Sequence, residues 1–241
     1  MILFQNISKK YGKEKVAVQD LNLEIPDGKI VGFIGPNGAG KTTTLKMLTG
    51  ILAPTTGDIT INGKSITNEP LEAKKQFGFV PDNPDMFLRF KGIEYLNFMS
   101  DIYNVDSNKR MERIALFSKR FSIEEALNDR ISSYSHGMRQ KIIIMGALIH
   151  DPELWVLDEP MTGLDPQSAH ELKIMMREHA DKQKTVFFST HVLEVAEKLC
   201  DIVIVINNGK VLFNGSLEDI RTSYGEEKSL ETIFLEMISY E

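Results

Sequence analysis

Residues 35–42 read Gly35-Pro36-Asn37-Gly38-Ala39-Gly40-Lys41-Thr42 and satisfy G-x-x-x-x-G-K-[ST] at every fixed position. Glycines let the backbone wrap closely, so that consecutive N–H groups turn toward phosphate oxygens. Lys41 is placed to reach the β- and γ-phosphates, and the Thr42 hydroxyl to ligate Mg²⁺. In a chain of 241 residues the pattern arises by accident about once in a hundred times at average residue usage. The motif specifies a nucleoside triphosphate without choosing between kinase, GTPase and ATPase chemistry.

Further along, residues 154–159 read Leu-Trp-Val-Leu-Asp-Glu, an apolar run that ends in two carboxylates. Ligands of open α/β sheets sit beyond the carboxyl ends of the strands. Asp158 is therefore placed to hold Mg²⁺ through water, and Glu159 to orient or deprotonate an attacking water. Thr190-His191 closes the next apolar run and falls on the same sheet edge, where His191 can bond a γ-phosphate or hold Glu159.

A second polar loop raises a different question. Ser135-His136-Gly137 precedes a strongly apolar helical stretch, and a helix start with small polar residues is a ready anion site. A simple helix cap is one reading. A Ser/His catalytic pair is a poor one, because sequence neighbours rarely face each other and no third member is evident. The remaining reading is a second phosphate contact, made in trans. Two copies placed head to tail would set each Ser135 loop against the γ-phosphate held by the other copy's Lys41, burying two nucleotides at a two-fold seam.

The elements that must position these residues follow from periodicity and turn chemistry. Residues 2–7, 16–25 and 59–66 read as short strands, the last containing the hairpin signal Asn62-Gly63. Residues 29–34 form the strand into the phosphate loop, and residues 41–49 a helix that Gly50 can end. From 84 to 150 the spacing turns helical, with Ser122 and Glu125 as a capping-box pattern. The runs at 154–157 and 185–188 suit buried parallel strands, joined by a helix over 166–182. Residues 202–213 form a hairpin around Asn207-Asn208-Gly209, and Ser216 and Ser229 cap two terminal helices. The expected fold class is α/β: a P-loop core with a mainly parallel sheet, an antiparallel β subdomain and an inserted helical subdomain. In this division 1–83 with 151–220 form the nucleotide-binding core of one domain, 84–150 the helical insertion and 221–241 a helical tail.

Composition narrows the class. A net charge of −6 argues against bulk nucleic-acid binding, which calls for a basic footprint. The single cysteine, Cys200, excludes an internal disulfide and reads as a small core residue. The five histidines do not fall at metal-ligand spacing with acids or Cys200, so zinc is not expected. The longest uncharged apolar run, 142–149, is far below the roughly 20 residues of a membrane span.

Taken together these motifs resemble the ATP-binding subunit of an ABC transporter, over nearly the whole chain and in the family's order. GPNGAGKTT, through Thr43, is similar to the Walker A motif, and LWVLDEP to Walker B. SHGMRQK stands in the place of the family signature, MTGLD (161–165) in that of the D-loop, and His191 in that of the switch histidine. The resemblance implies that Glu159 is the catalytic glutamate, with Lys41 and His191 beside it. It also implies that Tyr11 stacks on adenine, that Ser135, Gly137 and Asp165 serve the paired site, and that ATP and Mg²⁺ are bound. It further implies a homodimer or paired ATPase subunit and an integral membrane partner. The chain would then be cytoplasmic, peripheral on the inner face of the cell membrane, and a driver of transport, in the direction of export.

Two departures stand out. Tyr134 and His136 replace the usual leucine and glycine around Ser135, a form found in exporters with separate, short membrane subunits. Asp82 follows Val80-Pro81 where glutamine is usual; an anion there can ligate Mg²⁺ directly or bond it through water. Met86, Phe87, Leu88 and Phe90 precede the regular helical pattern and read equally as a docking groove for the membrane subunit or as core, whereas Tyr95, Phe98 and Tyr103 read as core of the insertion. Rival readings are an ABC-type ATPase working on nucleic acid or ribosomes without a membrane partner, and a regulatory ATP switch. The first would more often carry two cassettes or a long coiled coil, and the second would lack Glu159 or His191.

Overall fold

The segments LWVLD, TVFFST and IVIVIN are almost wholly apolar, as strands covered on both faces must be. In the computed structural model, which describes residues 1–12, 15–225 and 228–239, they lie in one six-stranded sheet. The elements run in chain order β1 (Ile2–Tyr11), β2 (Lys15–Ile25), β3 (Ile30–Ile34), α1 (Lys41–Leu48), β4 (Thr56–Ile61), β5 (Lys64–Ser65), α2 (Pro70–Lys74) and β6 (Phe77–Val80). Then come α3 (Gly92–Ile102), α4 (Ser107–Arg120), two 3-10 turns (Glu124–Asn128, Ile131–Ser133), α5 (His136–Leu148), β7 (Leu154–Asp158) and α6 (Pro166–Asp181). The chain closes with β8 (Thr185–Thr190), α7 (Leu193–Leu199), β9 (Ile202–Asn207), β10 (Lys210–Gly215), α8 (Leu217–Tyr224) and α9 (Leu230–Ser239).

The large sheet has the order β10-β9-β3-β8-β7-β6, with only β10 antiparallel. The small sheet, β2-β1-β4-β5, is antiparallel throughout. Two apolar clusters sandwich the large sheet, and strand alternation divides each strand between them. Trp155 and Leu157 of β7 face the helical side with α5 and α6. Leu154 and Val156 face the small sheet and α1.

Turn chemistry acts where the sequence placed it. Asn62 and Gly63 adopt φ 50 and 76, and Asn208 and Gly209 adopt φ 44 and 78, the left-handed pairs that tight hairpins require. Ser216 caps α8 with Asp219 in a reciprocal box, and the Ser229 hydroxyl accepts from the Thr232 amide at the start of α9. Cys200 is buried against Gly32, where an added Cβ would approach its Sγ to 2.5 Å.

One expectation fails, and one strand went unread. Ser122 caps no helix: it sits at φ 52 just beyond α4, and the following 3-10 turn starts without a side-chain cap. The left-handed residue that ends one helix took precedence over the box that would start another. β6 was not legible as a strand. Its four residues, FGFV, contain Gly78, which lies so close to α5 that a Cβ would meet Ala147 O at 1.9 Å.

A candidate nucleotide site

β3, β8 and β7 run side by side in parallel, with Ile34 opposite Thr190 and Ser189 opposite Asp158. Their carboxyl ends therefore share one edge. The glycine loop leaves β3 there and enters α1. Its path needs glycine: Gly38 and Gly40 have φ 84 and 112, and a Cβ on Gly35 would stand 2.3 Å from Ile206 O. The Gly209 amide donates to Ala39 O at 2.9 Å and fastens the loop to the β9–β10 turn. The Lys41 ammonium is buried, donates to Gly35 O at 2.7 Å and lies 3.5 Å from Glu159 Oε1.

The loop forms one wall of a cleft of about 410 Å³. Tyr11, Pro36, Asn37, Gly38, Gly40, Lys41, Thr42, Thr43, Asp82, Glu159 and His191 all line it. Ala39 is buried behind the loop. Tyr11 is 43% exposed on the rim, with Lys9 Nζ 5.6 Å from its ring centroid. Lys15, Val16, Ala17 and Thr162 also line the cleft and were not anticipated. The pairing of Lys15 with Tyr11 across the β1–β2 hairpin is what brings this side in.

Asp158 is buried at the floor and accepts a 2.6 Å hydrogen bond from Ser189 Oγ. Burial pushes its carboxyl above the usual carboxylate range, the Ser189 and Thr42 hydroxyls pull it back, and the nearby Asp82 and Glu159 charges push it up. Glu159 adopts φ 49, uncommon for a non-glycine residue, which turns its side chain back over the cleft. Its Oε2 lies 3.0 Å from His191 Nδ1, and its amide donates to Ser189 Oγ at 3.0 Å. Ser189, fully buried, thus holds both acids and was missed from the sequence. The signal was present: a serine closing an apolar strand next to the one that ends in the acids.

Thr42, Asp158 and Asp82 offer hard oxygens, and among the described residues no cluster of three His, Cys, Asp or Glu side chains forms a ready cage. That donor set fits Mg²⁺, which takes one or two carboxylates and completes its shell with phosphate and water.

Ser135, Gly137 and Asp165 do not line this cleft. Ser135 caps α5, its hydroxyl accepting from the Met138 amide at 3.3 Å. Gly137 lies against residue 163: an added Cβ would reach Gly163 O at 2.8 Å. Asp165 caps α6 through Ser168 and pairs with Lys141 of α5 at 3.0 Å. The Ser168 hydroxyl and amide, then Lys141, hold its carboxyl well below the usual range.

Within the helical region, Phe87 stacks near Tyr95, Phe90 and Phe98 at ring separations of 4.9, 5.8 and 5.9 Å. Tyr95 is core, as expected. Phe98 is not: it is 39% exposed while its ring packs on Phe87 and Phe90, and Met86, next in sequence to Phe87, is 41% exposed. Helix-face spacing cannot tell the inner face of a helix from an apolar outer one.

A strand-to-glycine-loop-to-helix unit with a buried aspartate at the end of another parallel strand of the same sheet defines a P-loop nucleoside triphosphatase. The family model described as ABC transporter matches residues 18–162, and the chain belongs to that family. It is 38% identical over 239 residues to the ABC transporter ATP-binding protein NatA of Bacillus subtilis, covering 98% of this chain and 97% of that protein. A solved ATP-binding subunit of an ABC transporter superposes with a TM-score of 0.94 at 32% identity, covering 98% of this chain and 99% of the other. A dimeric ATP-binding cassette in a post-hydrolysis state with ADP and Pi superposes with a TM-score of 0.80 at 25% identity, over 90% and 99% of the two chains. The chain is an ATP-binding, ATP-hydrolysing component of an ABC transporter. Among the described residues no helix is long and apolar enough to cross a membrane.

Proposed function

We propose that two copies of this chain, or this chain and a paired ATPase subunit, enclose two ATP molecules head to tail and drive a separate membrane subunit. The reading rests above all on the separation of two anion-binding elements: Lys41 and Thr42 line the cleft, whereas Ser135 and Gly137 lie outside it at the start of α5. A second chain is needed to bring the two together. In each cleft Tyr11 stacks on adenine and the backbone of Gly35 to Gly40 wraps the phosphates, with Lys41 on the β- and γ-oxygens and Thr43 beside them. Thr42 and Asp158, with Asp82, would hold Mg²⁺, which when bound screens phosphate charge. Glu159, held by His191 and Ser189, orients and accepts a proton from the attacking water. Ser135 and Gly137 of the other copy, and Asp165 at the seam, complete the site.

The apolar cluster of Met86, Phe87, Leu88 and Phe90, open toward Phe98, suits a short helix of the membrane subunit. The Tyr134-Ser135-His136-Gly137 form, similar to that of exporters with short membrane subunits, supports export. The chain would sit peripherally on the inner membrane face through that partner.

Turnover per chain should rise with protein concentration, and Glu159→Gln should lower it by about a hundredfold or more while leaving ATP bound. Specific activity that stays constant on dilution would overturn the paired site.

A further inference from the structure

Arg139 lies in the first turn of α5, where a cation opposes the helix dipole, and no acidic residue of that turn offsets it. Its side chain is only 22% exposed, and each of its three guanidinium nitrogens donates a hydrogen bond. Nε donates to Ile131 O at 3.3 Å, Nη2 to Ser132 O at 3.0 Å and Nη1 to Asp85 Oδ1 at 2.6 Å. The strands of backbone it touches are themselves tied: Ile131 N donates to Phe90 O at 2.9 Å, and Ser132 N to Leu88 O at 3.0 Å. Arg139 N also donates to Ser135 O at 2.9 Å, within the turn that Ser135 caps. Three regions therefore meet at one planar group. These are the segment that leaves the cleft at Asp82, the apolar cluster at 86–90, and the anion-binding end of α5.

We propose that Arg139 is a positioning residue that clamps the Ser135 end of α5 to the 85–90 segment, so that apolar cluster and Ser135 loop move as one body. This rests on the paired-site reading above. A lysine could replace the charge but not the fork, because its ammonium cannot span two carbonyls and a carboxylate in one plane. The clamp predicts that pairing of two chains, which needs Ser135 correctly aimed, depends on Asp85 and Arg139 although neither lines the cleft. ATP binding to a single chain does not.

The experiment uses the full chain carrying Glu159→Gln, which blocks hydrolysis. The ATP concentration that pairs half the molecules is measured by sedimentation. Affinity for a fluorescent ATP analogue is measured at a dilution where chains stay single. Arg139→Ala and Asp85→Asn should each raise the half-pairing concentration about fivefold or more, with Arg139→Lys recovering only part. The double variant should be no worse than Arg139→Ala, since the two side chains act as one unit. Single-chain affinity should change less than about twofold, which a general loss of structure would not allow. Asp85 sits on an exposed loop, so Asp85→Asn carries the test should Arg139→Ala fail to fold. Half-pairing concentrations within about twofold of the parent, or effects that multiply in the double variant, would overturn the clamp alone. A parent chain that never pairs with ATP would overturn the paired site, and the clamp with it.

Discussion

Ser189→Ala removes one hydroxyl from a position with no exposure and changes no other shape. That hydroxyl donates to Asp158 Oδ1 at 2.6 Å and accepts from the Glu159 amide at 3.0 Å. A hydrogen bond to a buried carboxylate contributes about 1.5–3 kcal/mol, and a buried amide left without an acceptor costs about 1–3 kcal/mol. The two losses share a group and do not add in full, so a net cost of about 3 kcal/mol is expected. For a chain of this size that corresponds to a fall in Tm of about 6–12 °C. Activity should fall as well, because the Glu159 backbone loses its tether; roughly tenfold to a hundredfold in kcat is the scale for a small misplacement. The pH profile adds an independent sign. Ser189 lowers the pKa of a carboxyl that burial has raised. Without the hydroxyl that pKa rises further in the nucleotide-free protein, so the loss of stability should shrink as pH falls and the carboxyl takes up its proton. Thermal unfolding across pH without nucleotide, and kcat at saturating ATP, measure all three. A variant that melts within about 2 °C of the parent at neutral pH would refute the bridging role of Ser189.

Burial brings the His179 pKa down from 6.5 to about 4, with Lys184 acting in the same direction and Asp151 against it. A histidine kept neutral by the fold binds its proton only after unfolding. It therefore supports stability above pH 6.5 and loses that support as pH falls toward 4, about 3 kcal/mol in all. His179→Leu should gain relative to the parent by that amount between pH 7 and pH 4 in denaturant titrations, and a pH-independent difference would count against it. Met86→Glu places a charge on the exposed side of the aromatic cluster without opening its interior. It should reduce co-purification with the membrane subunit severalfold while ATP affinity holds, and unchanged co-purification would dismiss the 86–90 surface as the docking site.

What the sequence disclosed was chemistry that depends on local order. The glycine loop is a continuous stretch whose residue types encode its own backbone path, and Asp158-Glu159 announces itself by ending an apolar strand. Hairpins built on Asn-Gly were equally legible, because left-handed φ values restrict the choice of residue. Ser189 was not legible, because its importance comes from lying beside Asp158 across a parallel pair, which depends on strand order. Ser122 failed for the opposite reason: its local pattern was right, but α4 reached that residue first. Phe98 shows the limit of periodicity, which marks an apolar face without saying what covers it.

Charge explains why one chain should not suffice. Asp82, Asp158 and Glu159 place three acids in or under the cleft against the ammonium groups of Lys41 and, on the Tyr11 side, Lys15. Such a pocket repels the γ-phosphate unless cations are brought to it. Mg²⁺ at Thr42 and Asp158 would supply one source. The start of α5 supplies another. It has no acid in its first turn, and its dipole adds partial positive charge at Ser135. In its own chain Arg139 and Lys141 are paired with Asp85 and Asp165, and Ser135 and Gly137 lie outside the cleft. On the paired-site proposal, neutralisation by a second copy would depend on ATP being present to bridge acid floor and helix end. Without its γ-phosphate the two surfaces lose the anion between them, so hydrolysis itself would loosen the pair. On these grounds ADP should support pairing far more weakly than ATP, and salt should weaken the ATP-bound pair less than it weakens long-range encounter.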